Sequence, residues 1–250
     1  MNSLEWQSHP ATQEYLRRVS TATVTTQLLK RGFRTRFMHE VRPLRPGQRM
    51  LGPARTLRYV PMREDLATLS SIGTRANVQR QLIEDTRAGE VVVIDGLGLT
   101  GAASLGSILA LRLQVRGVAG IVTDGAYRDT PGIRELEIPA YARSQNANSN
   151  VTLYHPADAD TVIGCGGVFV EPGDGILGDD EGVVVIPRDH VTAVAHDAIE
   201  QEVAERYIYE RVRAGAGVFD VYPLNEQEAA RFAQWRERID PLAFLDGEPT

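Results

Sequence analysis

The chain has 250 residues, 42% of them hydrophobic and 24% charged, with a formal net charge of -6. That length can bury one large core or two small ones. The acidic balance excludes the electrostatic footprint of a general nucleic-acid binder and gives no drive toward an anionic membrane surface.

The first twenty residues lack a basic start followed by an apolar stretch, so they do not read as a secretory signal. No run approaches the roughly 18 apolar residues that a membrane helix needs. One cysteine, Cys165, allows no intramolecular disulfide and points to a reducing, cytoplasmic setting. Its apolar flanks in "VIGCGGVFV" mark it as a small packed residue.

Residues 10–31 read as helical, with Leu16, Val19, Val24, Leu28 and Leu29 at helical spacing and Gly32 as a stop. Ser20 and Thr21 are placed to break this stretch and cap a second helix. Turns at Gly47 and Gly52 lead into "ARTLRYV", which alternates like a half-buried strand. "NVQRQLIEDTRAG" reads as a helix ending at Gly89, followed by the buried strand "VVVID". That strand runs into Gly96 and Gly98, which suggests a loop held close to a ligand or another backbone.

Next, "ASLGSILALRLQVRG" shows an apolar stripe at Leu105, Ile108, Leu109, Leu111 and Val115, closed by Gly117. "AGIVTDG" is a second buried strand, with Asp124 and Gly125 reading as its turn. "TPGIRELEIPAYAR" gives a short helix and a strand. "TVIGCGGVFV", "DGILGD" and "EGVVVIP" are short strands joined by turn residues. "RDHVTAVAHDAIEQEVAERYIYERVRAG" is a long helix, and the tail reads as a short helix with an irregular end.

The alternation of strands and helices predicts an α/β fold. The β-rich third quarter argues for one domain, residues 1–250, of layered mixed sheets with helices. Its core is expected over about residues 20–205, with helical extensions at both ends.

The chemistry gathers in one strand–helix–strand unit. In an open α/β sheet, ligands collect beyond the carboxyl ends of the strands. There the start of the helix offers free backbone N–H groups to an anion. Arg128 can grip a carboxylate through two nitrogens, and Asp129 can ligate a hard divalent cation such as Mg²⁺ or Mn²⁺. A 2-oxo acid, with one carboxylate and one keto oxygen, suits all three groups. The P-loop, HExxH and GxSxG patterns are absent. The one lysine, Lys30, sits beside Arg31 near a helix end, a poor position for Schiff-base chemistry.

"GSILALRLQVRGVAGIVTDGAYRDTPGIRELEIPAYA", together with "ILGDDEGVVVIP" and "STATVTTQLLKRG", resembles the RraA-like family over about residues 20–205. That family holds divalent-metal 4-hydroxy-4-methyl-2-oxoglutarate / 4-carboxy-4-hydroxy-2-oxoadipate aldolases and a regulator of ribonuclease activity. The resemblance implies a β/β/α fold of the swivelling type and a homotrimer or homohexamer. It also implies a lyase that cleaves 4-hydroxy-2-oxo acids and decarboxylates oxaloacetate. By position, Arg128 would hold the pyruvyl unit, Asp129 the metal, and Gly106, Ser107, Ile108 and Leu109 the carboxylate.

The aldolases carry an acid about twenty positions before the Arg-Asp pair, where it holds a metal-bound water. Here that position is Ser107. Asp95, Asp124, Glu181, Glu200, Glu202 and Glu205 are alternative acids. Arg58, Arg63 and Arg75 are candidates for a second substrate carboxylate. The alternative function is a non-catalytic regulator that binds a ribonuclease or another protein.

Overall fold

The computed structural model describes residues 5–65 and 73–246. Its centre is a nine-stranded mixed sheet. Four parallel strands form the heart of it: β2 (Met50–Pro61), β3 (Val91–Asp95), β5 (Gly120–Tyr127) and β6 (Ala140–Gln145). Their spatial order is β6-β5-β3-β2. The antiparallel strands β1 (Arg42–Pro43), β10 (Gly175–Asp179) and β11 (Gly182–Ile186) extend it, and β7 (Tyr154–Ala159) pairs with the far half of β2. A separate hairpin, β8 (Ile163–Cys165) and β9 (Val168–Val170), covers one face.

Alternation along the strands explains why they read as continuous apolar runs. Val92, Ile94 and Ile121 enter a core shared with helices α3 (Val78–Asp85) and α4 (Ser107–Val115). Val91, Val93 and Val122 enter a second core with Cys165, Val168 and Val170 under the hairpin. Both faces are covered, so neither needs polar residues. On β11, Val183 and Val185 join that second core, while Val184 and Ile186 meet helices α1 (Pro10–Leu16), α2 (Thr21–Lys30) and α6 (Val191–Arg213).

The helical break at Ser20 is present. The Ser20 Oγ accepts a hydrogen bond from the Thr23 N–H at 3.0 Å and so caps α2. α3 is shorter than its sequence pattern suggests. It ends at Asp85, because the Thr86 hydroxyl donates back to the Leu82 carbonyl and the chain turns extended. β1, β4 (Ala103–Leu105) and β7 are strands the pattern does not reveal.

The apolar stripe of α4 is overturned. Leu105 belongs to β4, and Ile108, Leu111 and Val115 are 79%, 46% and 67% exposed. The helix is apolar nearly all round, and its small buried residue Ala110, with Leu113, faces the sheet instead.

The tail is more helical than expected: α7 (Val218–Val221), α8 (Glu226–Arg236) and α9 (Pro241–Leu245). Tyr207 of α6 stacks against Phe232 and Trp235 of α8, which extends its apolar face beyond a narrow stripe. Among the described residues, no helix is long and apolar enough to cross a membrane.

Candidate functional site

Three strand exits lie side by side. β4 and β6 flank the end of β5, with Leu105 and Gln145 both in register with Tyr127. The residues that follow, Gly106, Arg128 and Asn146, therefore emerge together at the carboxyl edge of the sheet. The Arg128 N–H donates to the Leu105 carbonyl at 3.0 Å and the Asn146 N–H to the Tyr127 carbonyl at 2.9 Å, which fixes their spacing.

Gly106 is the N-cap of α4 and supplies no side-chain cap. The first intrahelical bond runs from the Ala110 N–H to the Gly106 carbonyl. The Ser107, Ile108 and Leu109 N–H groups are the unsatisfied donors of a helix start, with the positive end of the helix dipole behind them. Arg128 and Asp129 sit directly against this end. A Cβ on Gly106 would stand 3.0 Å from both Arg128 Cγ and Asp129 Oδ2, so any larger residue there would push against the pair.

Asp129 adopts the left-handed conformation (φ 53°) at the start of helix α5 (Thr130–Glu135), yet its carboxylate does not cap that helix. Its Oδ2 lies 3.4 Å from Arg128 Nε, and the side chains are 43% and 49% exposed for Arg128 and Asp129. Ser107 faces α5, since a Cβ on Gly132 would meet Ser107 Cβ at 3.3 Å and its Oγ at 3.7 Å. Gly106, Ser107, Arg128 and Asp129 are thus neighbours. Ile108 projects to solvent, and Leu109 packs partly against the α3–α4 core.

On the other side of Arg128 and Asp129 lies a recess of about 270 Å³ lined by Thr130, Pro131, Gln145, Asn146 and Ala147. Sequence reasoning missed it. Only the strand register, with Gln145 opposite Tyr127, brings residues 145–147 to the site.

Asp124 is not the turn residue that "TDG" suggests. It lies inside β5, 5% exposed. Its Oδ1 accepts from the Gly96 N–H at 2.7 Å and its Oδ2 from the Gly166 N–H at 3.1 Å. It clasps the loop after β3 to the turn of the β8–β9 hairpin. Burial pushes its carboxyl above the ordinary carboxylate range. The glycines after β3 serve a backbone approach: a Cβ on Gly96 would come 3.0 Å from Gly125 Cα. Burial likewise raises the half-buried Asp95 carboxyl, whose Oδ1 accepts from the Leu97 N–H. Cys165 is fully buried, and burial pushes its thiol well up.

Three of the other acids are occupied within the chain. Glu202 accepts from the Ser20 N–H and hydroxyl, Glu200 pairs with Arg236, and Glu205 accepts from Gln201. Glu181 stands beside Arg34 and Arg36 in a separate cleft near α2. Of the arginines considered for a second carboxylate, Arg58 pairs with Asp158 and Arg63 with Asp65. Arg75 lines a different cleft beyond α3.

No group of three His, Cys, Asp or Glu side chains that could hold a metal occurs among the described residues. The site's donor set is one carboxylate, Asp129, with the Ser107 hydroxyl nearby. That set does not fit a closed, all-protein metal centre. It fits a hard cation such as Mg²⁺, which keeps several waters and binds through one or two carboxylates plus substrate oxygens.

Comparison with known proteins agrees with this architecture. A family model described as RraA-like, Aldolase/RraA, matches residues 21–185. The chain is 34% identical over 135 residues to "Uncharacterized protein MJ0644" of Methanocaldococcus jannaschii, which covers 54% of this chain and 64% of that protein's length. It is 32% identical over 185 residues to a Halalkalibacterium halodurans protein named "Putative 4-hydroxy-4-methyl-2-oxoglutarate aldolase", covering 72% of this chain and 81% of that one. The crystal structure of Streptomyces coelicolor RraAS2, described as an unusual member of the RNase ES inhibitor RraA protein family, superposes with a TM-score of 0.71 at 31% identity. It covers 79% of this chain and 96% of that one. With the mixed sheet, the helix start and the Arg-Asp pair in place, the chain belongs to the RraA-like Aldolase/RraA family.

Proposed function

We propose that the chain is a lyase for pyruvate-type 2-oxo acids, cleaving a 4-hydroxy-2-oxo acid to pyruvate and a carbonyl compound, with oxaloacetate decarboxylation as a side reaction. The observation that carries this is the contact of Arg128 and Asp129 with the uncapped start of α4 across Gly106. The N–H groups of Ser107, Ile108 and Leu109 bind the substrate carboxylate. Arg128 holds the 2-oxo oxygen, where negative charge grows as the C3–C4 bond breaks. The electron pair of that bond passes to C3 as the enolate, and C4–O becomes a carbonyl as its hydroxyl proton goes to water. A proton from water then closes the enolate to pyruvate. Asp129 would hold Mg²⁺ or Mn²⁺, which when bound supplies further charge stabilisation at the enolate oxygen. Ser107 stands where an acid would be and offers a hydrogen bond without a charge.

The exposed Ile108, Leu111 and Val115 face of α4 suits contact between copies, so the reading extends to a cytoplasmic homotrimer or homohexamer. The same face favours the second reading, a non-catalytic regulator that docks a protein partner. Pyruvate release, measured over a panel of 4-hydroxy-2-oxo acids and oxaloacetate with and without EDTA, separates the two. Turnover that is lost with EDTA and in Asp129→Ala supports the lyase. No pyruvate from any substrate, with no Mg²⁺ or Mn²⁺ retained on dialysis, refutes it.

A further inference from the structure

The Asp129 carboxylate is not where an aspartate at the head of a helix ordinarily puts it. An N-cap aspartate keeps an extended backbone, and its carboxylate accepts from N–H groups of the first helical turn. Asp129 is the N-cap of α5, but its backbone is left-handed (φ 53°, ψ 35°) and its carboxylate makes no cap bond. The carboxylate lies instead against Arg128 and the start of α4. A left-handed conformation is unfavourable for a residue with a Cβ, and it persists where the surroundings over-determine it.

Two anchors flank Asp129 and supply that constraint. On its amino side, the Arg128 N–H donates to the Leu105 carbonyl of β4 at 3.0 Å. On its carboxyl side, the Thr130 hydroxyl donates to Gln145 Oε1 at 2.6 Å, and Thr130 is 5% exposed. Arg134, one turn along α5, donates to the same oxygen at 3.4 Å. Gln145 therefore grips the first turn of α5 at two points. Gln145 itself ends β6 in register with Tyr127, and the next N–H, of Asn146, donates to the Tyr127 carbonyl at 2.9 Å. Asp129 is the single residue between one bond to β4 and one to β6.

We infer that Thr130 and Gln145 are positioning residues for the Asp129 carboxylate. Their hydrogen bond holds α5 in the place that keeps Asp129 left-handed and its carboxylate free for the cation. Without that bond, Asp129 relaxes to an extended N-cap and its carboxylate turns onto the N–H groups of α5. The inference rests on the reading that Asp129 holds Mg²⁺ or Mn²⁺.

The test is a Mn²⁺ titration of the full chain, followed by the electron paramagnetic resonance signal of free Mn²⁺, with pyruvate present to supply the substrate oxygens. Thr130→Val and Gln145→Met are each expected to weaken Mn²⁺ binding about tenfold or more, as loss of a group that orients a ligand does. Thr130→Ser, which keeps the hydroxyl, should stay within about threefold of the wild type, and the Thr130→Val/Gln145→Met double variant should be no weaker than either single one. Tm should hold within a few degrees throughout, because the released carboxylate gains a helix cap. Wild-type affinity in Thr130→Val overturns the inference, as does equal loss in Thr130→Ser or an affinity that falls only in step with Tm. Wild-type protein that binds Mn²⁺ no better than Asp129→Ala overturns the metal assignment and this inference with it.

Discussion

Removing the Asp124 carboxylate should strand two buried donors. In Asp124→Ala, the Gly96 and Gly166 N–H groups lose acceptors at 2.7 and 3.1 Å in a place water does not reach. Each orphaned N–H costs about 1–3 kcal/mol, and relief of the buried charge offsets part of the total, so the net loss is about 2–4 kcal/mol. That is a large share of the ~5–15 kcal/mol by which domains are stable. Asp124→Asn keeps one acceptor oxygen but turns an amide donor toward the other N–H, and should lose less, about 1–2 kcal/mol. Urea unfolding followed by circular dichroism measures both, with the loss appearing as a lower midpoint at constant slope. An Asp124→Ala protein within about 0.5 kcal/mol of the wild type would refute the clasp, since that is the range of surface substitutions.

Two further outcomes follow from the same geometry. Burial raises the folded pKa of Asp124 above its ordinary value, so the folded state holds this proton more tightly than the unfolded chain. The stability due to this group therefore falls as pH rises from the ordinary carboxylate value through the raised one, and is level above it. Asp124→Asn should flatten that limb of a stability–pH curve, and an unchanged limb would contradict the burial argument. Gly106→Ala places a methyl 3.0 Å from Arg128 Cγ and Asp129 Oδ2. Its backbone (φ -124°) suits alanine, so Tm should hold within a few degrees while kcat/KM for pyruvate release drops about tenfold or more. Wild-type activity would show that the pair does not need this contact.

The parallel core was readable because strands covered on both faces show unbroken Val and Ile runs, as in "VVVID" and "GIVTDG". Arg128 and Asp129 were readable because the pair closes a block, "RGVAGIVTDGAYRD", in which a buried strand leads into charges. Three kinds of information were missing. β4 has three residues and β7 carries Pro156 and Asp158, so neither shows a strand pattern. α4 is apolar on nearly every side, and a helix without a polar face cannot say which side is buried. Asp124 is spelled like a turn, and its partners lie 28 and 42 residues away in sequence. The Gln145–Ala147 recess has no composition signal at all, because its place depends on Tyr127 and Gln145 sharing a register.

Adjacent strand exits also divide the labour of the site among separate peptides. The anion-binding turn belongs to the connection after β4, the reacting pair to the connection after β5, and the recess to the connection after β6. None of the three relies on the others' side chains for its backbone bonds to the sheet. Their side chains are less independent: Gln145 accepts from the Thr130 hydroxyl beside the reacting pair, and Asn146 donates to the Thr100 carbonyl ahead of β4. Ala147 is the position of this connection that can be exchanged without loosening either neighbour.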